Sequence, residues 1–133
     1  MAYPDTDENA PSGASLLYVT CETAGEARHL ARTLVGEQAV ACANIIDGMQ
    51  SVYWWQGEVV EAAETILLLK TVGARVPQVI ARVRELHSYA VPCVVELPLA
   101  RGNRSCPVEW CSWRQLAALS GRAGLISVPQ QAG

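Results

Sequence analysis

Between Ala41 and Thr71 the chain carries two β-rich runs that meet at a two-residue, glycine-containing turn. Ala41 to Ile46 is apolar, Ser51 to Trp55 is aromatic, Gln56-Gly57 supplies the turn, and Ile66 to Lys70 returns as a second apolar run. This pattern specifies a hairpin, because a short turn with glycine matches the twist of the strands it joins. Its arms are long enough to overhang any sheet that a chain of 133 residues can cover. A flat apolar ribbon left in water is an aggregation hazard unless something pairs with it. The hairpin is therefore expected to be the subunit interface of an obligate oligomer, with Ile45, Val52 and Trp54 among its contacts.

The flanking segments supply the rest of a fold. Leu16 to Thr20 is a short β-favouring run ending at Cys21. Thr23 with Glu26 is a capping-box pattern, and Ala27, Leu30, Ala31 and Leu34 then line one helical face up to Gly36. A second helix opens near Pro77, where the missing N–H is harmless, and Val76, Val79, Ile80 and Val83 form its apolar side as far as Leu86. Val91 to Leu97 is expected as a fourth strand fenced by Pro92 and Pro98, and a last helix opens at Pro107 with Trp110 and Trp113 on one face. The order β-α-β-β-α-β predicts an α+β, ferredoxin-like domain: a four-stranded antiparallel sheet with both main helices on one face, followed by the C-terminal helix. Residues 14–120 are assigned to it, with 1–13 and 121–133 as flexible tails because neither end shows periodicity. One sheet face lacks a helical cover, and a neighbouring copy is expected to bury it.

Composition removes several classes of function. Half the residues are hydrophobic and the net charge is −3, with Lys70 the single lysine, so no basic stripe tracks a nucleic-acid backbone. No apolar run reaches the roughly 18 residues that span a bilayer, and the acidic start does not look like an export signal. Five cysteines, an odd number without paired spacing, are expected to be reduced thiols in a cytoplasmic protein.

Residues able to carry chemistry are scattered. His87 and Tyr89 fall at a helix-to-strand corner, where His87 either caps the helix dipole or projects as a ligand. Lys70 either snorkels outward or faces a polar cavity. Glu61 and Glu64 occupy opposite faces of one strand and Glu58 lies beside the turn, so no carboxylate dyad forms. Tyr53 and Trp55 share a face that Trp54 opposes, and packing across strands or subunits is their expected role. Cys42, Cys93 and His87 are soft ligands suited to copper or zinc, although no chelating spacing ties them together. No phosphate loop, nucleophile elbow or Cys/His arrangement argues for an enzyme.

Taken together, Ala41-Cys42-Ala43-Asn44-Ile45-Ile46, Ser51-Val52-Tyr53-Trp54-Trp55-Gln56-Gly57, Glu64 with Leu67 to Lys70-Thr71, and His87-Ser88-Tyr89-Ala90-Val91-Pro92 closely resemble the CutA divalent-cation tolerance family. The likeness covers about residues 15 to 115 in the family's order. It implies a ferredoxin-like subunit, a homotrimer built through the long hairpin, and an architecture similar to PII signalling proteins. It also implies a link to copper and other divalent cations, with no enzymatic activity and no cofactor required. Glu64, Tyr53, Trp55, Lys70, Thr71, His87 and Tyr89 match family positions and are expected to line clefts between subunits, with a small molecule or protein as the further partner. Cys42, His87 and Cys93 are the metal-ligand expectation. The family's usual His-Pro-Tyr-Glu is His87-Ser88-Tyr89-Ala90 here, and Cys93 replaces a carboxylate common after the proline. Those changes favour a soft ion such as Cu(I) over a hard one. The stretch Cys106-Pro107-Val108 departs from the family as well. A second implied role is that of a PII-like module binding a metabolite or partner protein. A hydrolase of the acylphosphatase type is disfavoured, because Thr20 leads into Cys21-Glu22-Thr23 rather than an arginine-bearing anion loop.

Overall fold

The computed structural model describes residues 12–102. The expected helix from Pro107, with Trp110 and Trp113, lies outside them. In chain order the elements are β1 (Ala14–Cys21), α1 (Ala24–Gly36), β2 (Cys42–Trp55), β3 (Glu58–Val72), a 3-10 turn (Gly73–Arg75), α2 (Val76–Leu86) and β4 (Val94–Leu99). The strands form one sheet in the order β2-β3-β1-β4, each antiparallel to its neighbours. This is the ferredoxin-like arrangement the element order predicts.

Alternation along the central strands builds the core. Leu17 and Val19 of β1 lie opposite Leu69 and Leu67 of β3, and all four are fully buried. Against them pack Ala27, Leu30, Ala31 and Leu34 of α1 and Val76, Val79 and Val83 of α2. Each large aliphatic side chain so buried contributes about 1.5–3 kcal/mol. The Thr23 hydroxyl accepts from the Glu26 N–H at 3.1 Å, which satisfies one orphan donor at the start of α1. Ile66 and Leu68 of β3 point the other way, with Ile46 of β2 and Val95 and Leu97 of β4. Ile46, Val95 and Leu97 are exposed, so this face meets no helix among the described residues.

The hairpin overhangs as expected. β1 covers only residues 65–72 of β3, leaving 58–64 paired with β2 alone. Gln56 (φ 50°) and Gly57 (φ 81°) both adopt positive φ, the combination of a type I′ turn. A bulge lies between Ile46 and Met49, where the Asp47 carboxylate accepts from the Gly48 N–H at 2.8 Å and the Thr65 hydroxyl at 2.9 Å. The extra residue shifts the alternation. Ile45, Val52 and Trp54 therefore share the helix-side face, opposite Leu67, Glu61 and Val59, although strict alternation would separate Ile45 from the other two.

The fourth strand differs from the sequence expectation. It begins at Val94 rather than Val91 and continues through Pro98 to Leu99. β4 is an edge strand, and an edge tolerates a residue without an N–H. The chain from His87 to Cys93 is instead the turn that brings α2 back to the sheet. Ser12 donates from its N–H to the Ala100 carbonyl at 3.1 Å and from its hydroxyl to the Leu99 carbonyl. The Gly13 carbonyl accepts from Gly73 at 2.9 Å. No helix among the described residues is long and apolar enough to cross a membrane.

Candidate functional site

β1 stops at Cys21, β4 begins beside Val19, and the two run antiparallel, so the entry to α1 and the exit from α2 meet at one end of the sheet. Glu26, in the first turn of α1, ties them together. One carboxylate oxygen accepts from the Glu22 N–H at 3.2 Å and the other from the Ser88 N–H at 2.7 Å. Burial pushes this carboxyl up. Hydrogen bonds from Ser88 and Glu22, with His87 nearby, outweigh that and hold it below the ordinary value of 4.5.

His87 closes α2 through its N–H, which donates to the Val83 carbonyl at 2.8 Å. Its buried ring points across to β1. Nδ1 accepts from the Tyr89 N–H at 3.0 Å, which leaves Nε2 as the donor to the Thr20 carbonyl at 2.7 Å. Nδ1 also stands 3.7 Å from a Glu26 carboxylate oxygen. The ligand atoms of Cys21, Glu26 and His87 lie within 4.8 Å of one another. Burial, aided by the Glu26 and Glu64 charges, pushes the Cys21 thiol up to about 12.

A second polar group adjoins the first. Glu64 marks the point on β3 where β1 ceases to cover it, and its carboxylate accepts from the Ser51 hydroxyl at 2.7 Å and the Tyr89 hydroxyl at 3.0 Å. Burial and then the Glu64 carboxylate raise the Tyr89 phenol. The Tyr89 ring leans on His87, with centroids 4.8 Å apart and planes at 47°. The two polar groups thus share the His87–Tyr89 contact.

Of the expected cleft residues, Glu64, His87 and Tyr89 come together. Tyr53 and Trp55 continue along the Glu64 face of the overhang and are exposed. Lys70, opposite Leu16 and Cys42, lies six residues further along β3, about 20 Å away at ~3.3 Å per residue. Thr71 is fully buried and donates to the Ala39 carbonyl at 3.1 Å, so within one subunit it belongs to the core.

The expected metal set is divided differently. His87 is present, but its ligand-capable neighbours are Cys21 and Glu26 rather than Cys42 and Cys93. Cys42 stands opposite Lys70 at the far end of β3, and Cys93 is exposed one residue before β4. Sequence spacing marks Cys21 only as a small hydrophobe and Glu26 only as a capping residue. The usable signal was the predicted topology, which sends the start of the first helix and the end of the second to the same sheet end.

Residues 15–113 match the model of the CutA1 divalent ion tolerance protein family. The divalent-cation tolerance protein CutA of Thermus thermophilus is 44% identical over 98 residues, spanning 74% of this chain and 91% of that protein. The T. thermophilus Cut A1 structure superposes with a TM-score of 0.67 at 43% identity, over 75% of this chain and 93% of that one. Human protein CutA is 36% identical over 93 residues, 70% of this chain, which spans only 52% of that relative's length. The Archaeoglobus fulgidus CutA structure, described as a periplasmic divalent cation tolerance protein, is 30% identical with a TM-score of 0.67 over 73% of this chain and 93% of that one. The T. thermophilus and A. fulgidus relatives are named as tolerance proteins, not as enzymes. A family match over most of the chain, substantial sequence identity and the same strand-and-helix framework lead to one conclusion: the chain belongs to the CutA1 divalent ion tolerance family.

Proposed function

We propose that this chain is a homotrimeric, non-enzymatic protein of divalent-cation tolerance whose inner polar group takes a soft, copper-type cation. The observation that carries this reading is the convergence of a thiol, a carboxylate and an imidazole, with ligand atoms within 4.8 Å of one another. Donors in a tetrahedral site about 2.0–2.3 Å from an ion stand roughly 3.5 Å apart, so the group fits a cation after a modest contraction in which His87 Nδ1 gives up the Tyr89 N–H. Sulfur and nitrogen outnumber the carboxylate, which favours a soft ion. The cation would replace the thiol proton of Cys21, and uptake would release a proton.

The proposal of a trimer is supported by the apolar side chains left in water on the hairpin, among them Trp54 at 73% and Val59 at 61% exposure. Copies of the chain are the simplest cover for them. A second reading, a PII-like module with metabolite clefts between subunits, is favoured by Glu64. Its carboxylate is held from both sides by Ser51 and Tyr89, at the base of a face that continues through Tyr53 and Trp55. A cytoplasmic location is part of the proposal, supported by an odd number of cysteines without paired spacing. Fractionation of the source cells tests it.

Anaerobic titration of the full chain with Cu(I) and Zn²⁺, followed by tryptophan fluorescence and chelator competition, tests the cation site. Cu(I) is expected to bind tightly, with affinity lost in Cys21→Ser and His87→Gln and kept in Cys42→Ser and Cys93→Ser. The reverse pattern would move the site to Cys42 and Cys93, and no binding of either ion would remove the cation reading.

A further inference from the structure

The turn after α2 is tied to the ligand groups themselves. The Ser88 N–H rests on a Glu26 carboxylate oxygen at 2.7 Å, and the next N–H, that of Tyr89, rests on His87 Nδ1 at 3.0 Å. Glu26 and His87 are two of the three groups that converge with Cys21. The other imidazole nitrogen, Nε2, is held by the Thr20 carbonyl at 2.7 Å, and Nδ1 is the one that stands 3.7 Å from Glu26. Coordination among these groups therefore calls on the lone pair that the Tyr89 N–H already occupies, and a ring nitrogen has one lone pair to give.

Tyr89 is gripped at its far end as well. Its hydroxyl donates to Glu64 at 3.0 Å, and its ring leans on His87 with centroids 4.8 Å apart. Glu64 is where β3 leaves the cover of β1, and its carboxylate also accepts from Ser51 of β2 at 2.7 Å. One rigid side chain thus spans from the imidazole to the base of the overhanging hairpin. A backbone N–H that loses its acceptor in a half-buried turn is driven to find another. Residue 89 then has to rotate, and the phenol moves with it.

We propose that Tyr89 is a positioning residue that couples the cation site to the hairpin: as His87 Nδ1 turns to an ion it drops the Tyr89 N–H, and the phenol in turn gives up its hold on Glu64. This inference rests on the cation reading of Cys21, Glu26 and His87. Coupling between two sites is reciprocal. Whatever frees Tyr89 from Glu64 therefore eases uptake of the ion, and uptake loosens the base of the hairpin.

The test uses the full chain with Cu(I) as probe, held anaerobically and measured by chelator competition. Tyr89→Phe, which keeps the ring and removes the hydroxyl, is expected to bind Cu(I) about 5- to 10-fold tighter than wild type. In a Glu64→Ala background the same substitution should change the affinity no further, because its partner is already gone. Loading wild type with Cu(I) should also speed amide hydrogen exchange in residues 58–64, while Tyr89→Phe exchanges there at the faster rate with or without the ion. An unchanged or weakened affinity in Tyr89→Phe overturns the coupling and leaves the cation site standing, as does an equal effect in both backgrounds, which would reflect packing of the ring. Should Tyr89→Phe not fold, exchange in wild type decides: faster exchange of residues 58–64 on loading supports the coupling and unchanged exchange overturns it. Absence of Cu(I) binding by wild type and every variant removes the cation reading and this inference together.

Discussion

Glu26 does two jobs, and only one of them is local. Its N–H completes the Thr23 cap, a relation three residues long that the Thr-x-x-Glu pattern announces. Its carboxylate also clamps Ser88, 62 residues away, which no pattern announces. Glu26→Ala is expected to destabilise the fold by about 2 kcal/mol, read from urea unfolding at neutral pH, because two charge-assisted bonds to N–H groups vanish. The folded carboxyl titrates below its ordinary value of 4.5, so its stabilising contribution is present above that value and lost as pH falls through the folded one. Glu26→Gln should accordingly flatten the acid limb of the stability profile. Cys21 has the opposite sign. Its thiol is held near 12 against an ordinary 9.0, so stability should decline above pH 9.0 as the unfolded thiol ionises first. At mildly alkaline pH, iodoacetamide should spare Cys21 in the folded protein and label it after denaturation, as peptide mass mapping would show.

The elements were largely legible because their signals are short-ranged. Both helices follow the apolar spacing of 3.6 and start at a cap or a proline, and the hairpin turn falls on Gln56-Gly57. The turn also leaves a prediction. Gln56 is held at φ 50°, which asparagine adopts more readily, so Gln56→Asn should gain about 0.5 kcal/mol. Gly57→Val, at φ 81°, should lose about 1–2 kcal/mol. Denaturant midpoints at constant slope check both. The start of β4 was misplaced because Val91 to Leu97 reads as one apolar run, while β1 pairs only from Val94 onward. The bulge at Asp47-Gly48 was also hidden, since it depends on Thr65 across the sheet.

For the molecule as a whole, the exposed apolar side chains of the overhanging ribbon call for a cover. In the proposed trimer, Ile45, Val52 and Trp54 act as one patch, which the bulge makes possible by setting them on a common face. Trp54→Glu combined with Ile45→Glu would place two charges in an apolar contact and cost several kcal/mol of assembly energy. Sedimentation should then report a subunit-sized species for the variant. A trimer of undiminished stability would show that the hairpin lies elsewhere in the assembly.

Sequence alone determined the order of elements, the hairpin, the two amphipathic helices, the ferredoxin-like topology and the family, because periodicity, caps and turns are properties of neighbouring residues. Tertiary structure decided which side chains meet. Antiparallel pairing of β1 with β4 carries His87 to Cys21 and Glu26, and the bulge opposite Thr65 sets the faces of the ribbon. The turn into α2 buries Arg75 and leaves its Nε without a hydrogen-bond partner among the described residues. Each of these depends on the packing of segments distant in the chain, and local patterns carry no record of distances across a fold.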